Sequence, residues 1–319
     1  MSTPYKSIPS DLFFSKNDPQ DLRLGDLVKS STRQDPSLKK NSFVISGYCD
    51  DEGIQLNGGR IGAAEAPLRI RQFLYKMTPP VLDLQSVTMC DLGNLELASS
   101  LAERHQQAEQ LSYEHNQKGL RPLTFGGGHD YGFPDASGFV KAHLNSTKKP
   151  IVLNFDAHLD VRPPTNGLNS GTPFFRLLSA YENQFEFFEI GIQPQCNSVH
   201  HRQWARSKGA CIFDSQFVQE HGLLGLLQTN EFQKLEDKAP LFISFDIDAL
   251  TSAEAPGCSQ AWPTGFHLKD YLSLFAELKK RFDIRGLGIY EVSPPLDIDN
   301  YTSKAAALIA YHFLMQDVL

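Results

Sequence analysis

Apolar residues recur along this chain with two spacings. Short runs of the kind that fill a buried strand occur at SFVIS (42–46), SVTMCDL (86–92), LRPLTF (120–125), PIVLNF (150–155), FEFFEIGI (185–192), ACIFD (210–214), LFISFDI (241–247) and IRGLGIY (284–290). Between several of them the spacing is helical, over 63–76, 98–118, 136–144, 173–183, 199–208, 215–235, 267–281 and 302–316. Alternation on this scale predicts parallel βαβ units. Residues 1 to about 40 depart from it: they are polar, rich in Pro, Ser, Asp and Lys, and predict an irregular or partly helical arm. No internal repeat or linker divides the chain, so residues 1–319 read as one domain.

Composition narrows the class. With 319 residues, 41% of them hydrophobic, the chain can bury a large core. A net charge of -7 and no long basic run argue against nucleic acid as a main partner. The opening MSTPYKSIPS lacks a basic segment followed by an apolar one, and no run of 18 apolar residues occurs, so the reading is a soluble protein with no membrane partner. Five scattered cysteines, odd in number and without a C-x-x-C pair, fit packed thiols in a reducing, cytoplasmic setting.

The chemistry sits at strand ends, where open parallel α/β sheets gather ligands. The run 150–155 is followed by Asp156, His158 and Asp160, whose alternation places them on one face if the strand persists. The run 241–247 presents Asp246 and Asp248, and PLTFGGGHD ends a strand with three glycines before His129. Singly, each motif could be a turn or a cap; together they make six potential metal ligands. Four aspartates balance two divalent ions, and oxygen-rich His/carboxylate donors without thiolate favour Mn(II) over a structural zinc site. Bridging carboxylates would hold such ions about 3.5–4 Å apart, the spacing of two-metal hydrolytic sites.

At this point the residues resemble a known family. GGGHD (126–130), FDAHLD (155–160), SFDIDAL (244–250) and YEVSPPLD (290–297) resemble the motifs of the arginase, agmatinase and formimidoylglutamase ureohydrolases. The resemblance implies a three-layer α/β/α arginase-like catalytic domain with a mostly parallel eight-stranded sheet flanked by helices. It also implies two Mn(2+) ions, one held by His129, Asp156, Asp160 and Asp246, the other by His158, Asp156, Asp246 and Asp248, with Asp156 and Asp246 bridging.

Three segments resemble the formimidoylglutamase branch: GGGHD in place of GGDHS, NSGTPFF (169–175), and NGGRIGAAEAP (57–67). Where arginases and agmatinases place a histidine before the corresponding glycine, this chain has Ser170, a substrate-contact candidate without their proton-shuttle imidazole. Two positions after Asp160, where arginases have asparagine, stands Arg162, whose planar fork suits a substrate carboxylate; a surface ion pair is the alternative. Arg60 is a second such candidate, with an ordinary surface role the favoured reading. Glu291, after an apolar run and before a proline pair, suits the cationic amidine end. The implied reaction converts N-formimino-L-glutamate and water to L-glutamate and formamide in histidine metabolism, with Asp160 passing a proton to the leaving nitrogen.

Rivals stay open. Another ureohydrolase would release urea from arginine, an agmatine-like compound or a guanidino acid. A one-zinc deacetylase of related fold uses tandem histidines before its Asp-x-His pair, whereas His200 and His201 follow it here. A metallophosphoesterase would need its elements in another order, and a catalytically silent metal-binding scaffold would retain the donors without turnover. Assembly as a homo-oligomer is left open.

Overall fold

The computed structural model describes residues 4–32, 35, 37–81 and 87–319. Ser86 of the run 86–92, and residues 1–3, 33, 34 and 36 of the arm, lie outside the described residues. Among the described residues ten strands share one sheet: β1 (Tyr5–Lys6), β2 (Lys29–Ser30), β3 (Phe43–Gly47), β4 (Met89–Leu95), β5 (Arg121–Phe125), β6 (Ile151–Phe155), β7 (Glu186–Ile192), β8 (Cys211–Asp214), β9 (Pro240–Asp246) and β10 (Asp283–Tyr290). The last eight are the predicted runs. They lie in the order β4-β3-β5-β10-β9-β6-β7-β8, all parallel.

Alternate residues of each strand enter opposite cores, as a sheet buried on both faces requires. Ile151, Leu153, Phe155, Ile243 and Phe245 pack into one core, with Ile70, Leu274 and Ile309 of the helices Ala66–Leu74, Leu268–Arg281 and Tyr301–Leu314. Val152, Phe187 and Phe242 face the other, with Phe139 and Leu177 of the helices Gly132–His143 and Pro173–Ala180. The result is a three-layer α/β/α fold.

The two strands beyond the expected eight come from the arm. β1 pairs antiparallel with β4 and β2 pairs parallel with it, so the arm satisfies backbone groups that an edge strand would leave open. Its sparse apolar residues Ile8, Leu12, Leu24 and Val28 are buried in the first core, and the arm is partly helical at Leu24–Leu27. The predicted helix 215–235 divides into Ser215–His221, a 3-10 segment Leu223–Gln228 and Asn230–Gln233, because Gly222 takes a left-handed φ of 67° and ends the first piece. The helix expected at 136–144 begins earlier, at Gly132, since Pro134 lies in its first turn, where no amide is needed.

The sheet order positions the chemistry. β5, β10, β9 and β6 are consecutive neighbours, with Phe125, Ile289, Phe245 and Phe155 in register. The motifs beginning at Gly126, Glu291, Asp246 and Asp156 therefore leave the same edge of the sheet side by side. Among the described residues no helix is long and apolar enough to cross a membrane.

Candidate metal centre

His129 is delivered by a 3-10 turn, His129–Tyr131, after the glycines that end β5. The glycines are required for close approach: a Cβ on Gly127 would lie 1.5 Å from the Asp50 carbonyl oxygen. The His129 ring is stacked on Tyr290 and met edge-on by Phe174. Its Nε2 lies 2.9 Å from Ser244 Oγ, which accepts the ring proton in the tautomer that leaves Nδ1 a lone pair.

That Nδ1 is buried and, among the described residues, has no aligned hydrogen-bond partner, yet it lies 2.9 Å from Asp156 Oδ2, 3.1 Å from Asp160 Oδ2 and 3.2 Å from Asp246 Oδ2. Against burial, the three carboxylates hold the His129 imidazole well above its usual range in the metal-free protein, and a metal ion would take the place of that proton in the same donor set. His129, Asp156 and Asp160 form one group able to hold a metal ion, and Asp156, His158 and Asp248 form a second that shares Asp156. Backbone amides aim the acids: His158 N–H donates to Asp156 Oδ1 at 2.6 Å, Ala157 N–H to Asp248 Oδ1 at 3.1 Å, and Asp248 N–H to Asp246 Oδ1 at 2.9 Å.

All six expected donors thus converge. Asp246 reaches His129 Nδ1 through Oδ2, while its Oδ1 accepts the Asp248 amide, as Asp156 Oδ1 accepts that of His158.

Burial, then repulsion from Asp248 and Asp156, pushes Asp246 well above the usual carboxylate range; burial and the Asp156 charge also raise Asp160. Four crowded acids favour a cation over their own ionisation alone. Saturating metal-stripped protein with Mn(II) is expected to raise Tm by about 5 °C at a free ion concentration near 100 times Kd. Calorimetry at several free-ion concentrations checks it, and a melt indifferent to the ion would count against the cluster as a cation site.

The two residues expected to handle protons and charge carry backbone strain. Asp160 has φ 46° and Glu291 φ 65°, the left-handed region that non-glycine residues rarely enter. Each is tied in place: Phe174 N–H donates to the Asp160 carbonyl, and Glu291 N–H to that of Gly127. Glu291 Oε1 in turn accepts the His129 N–H at 3.1 Å, and burial pushes its carboxyl up to about 8.

These groups line a cavity of about 290 Å³ walled by Asn57, His158, Asp160, Arg162, Ser170, Gln195, Cys196, Asp248, Trp262 and Glu291, among others. Arg162 is exposed at its rim; among the described residues it has no carboxylate partner, and Nη1 donates to Asn57 Oδ1 at 2.6 Å. Ser170 Oγ accepts from Asn57 Nδ2 at 3.0 Å. Arg60 is brought to the wall instead of the cavity: its guanidinium donates to the carbonyls of Cys258 and Ser259, joining the 57–60 loop to the 258–260 loop. His200 and His201 lie on the helix Val199–Ser207, outside the donor set.

Sequence reasoning missed Asn57, which holds both Arg162 and Ser170, and Ser244, which orients His129. Ser244 had a signal, a polar residue two positions before a donor within an apolar run. Asn57 had only its place in NGGR.

Comparison with known proteins follows the same lines. Residues 41–316 match the arginase family. A formimidoylglutamase of Aeromonas salmonicida is 32% identical over 277 residues, covering 84% of this chain and 85% of the relative. One from Streptococcus gordonii is 29% identical over 304 residues, covering 90% and 89%. Among solved structures, Trypanosoma cruzi formiminoglutamase with manganese has a TM-score of 0.78 at 28% identity, over 92% of this chain and 97% of that one. Formimidoylglutamase from Bacillus subtilis has a TM-score of 0.79 at 26% identity, over 94% and 93%. By this match, and by the likeness of both sequence and fold, the chain belongs to the arginase family, close to its formimidoylglutamases.

Proposed function

We propose that the chain, acting as one catalytic domain, is a binuclear manganese hydrolase that converts N-formimino-L-glutamate and water to L-glutamate and formamide. The observation that carries the reading is the buried His129 Nδ1, facing three carboxylates in a group that shares Asp156 with a second His/Asp group. His129, Asp156, Asp160 and Asp246 would hold one ion, and His158, Asp156, Asp246 and Asp248 the other, with Asp156 and Asp246 common to both. When bound, the two ions supply a water-derived nucleophile at neutral pH and polarise the amidine carbon. Glu291, raised to about 8 by burial in the metal-free protein, would be ionised by the approaching amidinium and set an anion opposite it as the carbon becomes tetrahedral. Asp160 carries a proton from the attacking water to the departing nitrogen, releasing the amine of glutamate. Arg162, steadied by Asn57, forks onto a substrate carboxylate at the rim. Five free cysteines support a reducing, cytoplasmic setting.

The test is a manganese-reconstituted panel of formiminoglutamate, arginine, agmatine and guanidinobutyrate, run on the wild type and Arg162→Lys. The wild type is expected to turn over formiminoglutamate with clear preference. Arg162→Lys keeps charge but loses the planar fork, so KM should rise about 10-fold with metal content unchanged. Preference for agmatine, or an indifferent Arg162→Lys, would overturn the carboxylate clamp and favour a guanidino substrate.

A further inference from the structure

One row of the sheet directly beneath the donors is polar where an apolar layer is expected. Val152 and Phe242 keep the lower row apolar, but above them Glu189 of β7, Asn154 of β6 and Ser244 of β9 are register partners, and all three are fully buried. Burying three polar side chains in one row is unfavourable unless each is used. Ser244 is used by His129. Neither of the other two lines the cavity, and neither has a place in the reaction as described.

Their geometry points to the shared acid. Asn154 Nδ2 donates to Glu189 Oε2 at 2.8 Å and reaches Asp156 Oδ2 at 3.4 Å. Asp156 Oδ1 is already fixed by the His158 amide, so Oδ2, the oxygen that faces His129 Nδ1, is the one that Asn154 meets from below. The Asn154 oxygen and Glu189 Oε1 have no partner among the described residues, so nothing else determines which way the amide points. Without an acceptor at position 189 the amide could turn over, setting its oxygen against the Asp156 carboxylate.

We propose that Asn154 and Glu189 are positioning residues for Asp156: Glu189 holds the Asn154 amide with its N–H side toward Asp156, and that hold orients the carboxylate common to both His/Asp groups. The inference rests on the reading of Asp156 as a shared metal ligand. A partner behind a ligand commonly changes metal affinity by about 10–100-fold.

Metal-stripped wild type, Glu189→Gln, Glu189→Leu and Asn154→Leu are titrated with Mn(II), following bound ion by equilibrium dialysis and the spin-coupled pair by electron paramagnetic resonance, then assayed for kcat and KM. Glu189→Gln keeps an acceptor oxygen and should bind within about twofold of wild type, while both Leu variants should bind about 10–100-fold more weakly, with altered coupling, lower kcat and unchanged KM. A Leu variant that matches wild type in affinity and coupling overturns the positioning pair alone. Equal weakening in Glu189→Gln and Glu189→Leu also overturns it, because glutamine retains the acceptor. A wild type with no coupled manganese pair overturns the metal reading and the pair together. Should a Leu variant fail to fold, Asn154→Ser decides, since wild-type binding without the amide overturns the proposal.

Discussion

Asp156→Asn is expected to lose both metal ions and at least about 10²–10³-fold in kcat while remaining folded. The size of the effect follows from sharing: Asp156 belongs to both His/Asp groups, so one substitution weakens two sites. The fold should survive for a local reason. Asparagine has the size of aspartate and can keep the acceptor for the His158 amide, although its side-chain amide would replace Oδ2 beside Asn154 and forfeit that contact. Against burial, His129 and His158 hold the Asp156 carboxyl below the ordinary carboxylate range, so losing its charge should lower the melting temperature of the metal-free variant below that of metal-free wild type without unfolding it. Metal analysis, melting curves and turnover measured together check this. Two tightly bound ions with near wild-type turnover would remove Asp156 from its assigned role.

Glu291→Gln should cost about 10²–10³-fold in kcat with both ions retained. Its backbone can keep the left-handed turn tied to Gly127, and its side-chain oxygen can still accept the His129 amide, so the lesion is confined to charge. The lost anion matters most when the amidine carbon becomes tetrahedral, so kcat should fall further than KM rises. Steady-state constants on formiminoglutamate, beside metal content, separate this from a structural role. A change in KM alone would make Glu291 a contact of the ground state only.

The donors were legible because each follows an apolar run that must be a strand, and parallel sheets present strand ends on one edge. Asp156, His158 and Asp160 are marked by their place after the run, but β6 ends at Phe155, so they converge from the loop beyond it, with Asp160 at φ 46°, and not by strand alternation. Asp246 ends β9, and Asp248 lies in the 3-10 turn that follows. Pairing order was not legible, because no local pattern in 240–246 or 283–290 states that these strands insert between β5 and β6. The same limit applies to side-chain partners distant in sequence. Arg60 and Arg162 are both cations in family-like motifs, yet only Arg162 reaches the cavity, since the Cys258 and Ser259 carbonyls capture the other. Asn57 meets residues 105 and 113 positions away, a distance over which spacing carries no signal. The arm hid its strands because two-residue pairings leave too short a pattern to read.

The insertion of β10 and β9 between β5 and β6 has a consequence for the order in which the protein is made. His129 and the Asp156–Asp160 group emerge early from synthesis, but their strands end up separated by two others, roughly 14 Å apart at ordinary strand spacing. Until residues 240–290 have been added and threaded into the gap, β5 and β6 lack the neighbours that set this distance. The ring of acids around His129 is therefore among the last features of the nascent chain to assemble. A growing polypeptide carries most of its donors without the geometry to trap a cation, and metal capture is deferred to the completed sheet.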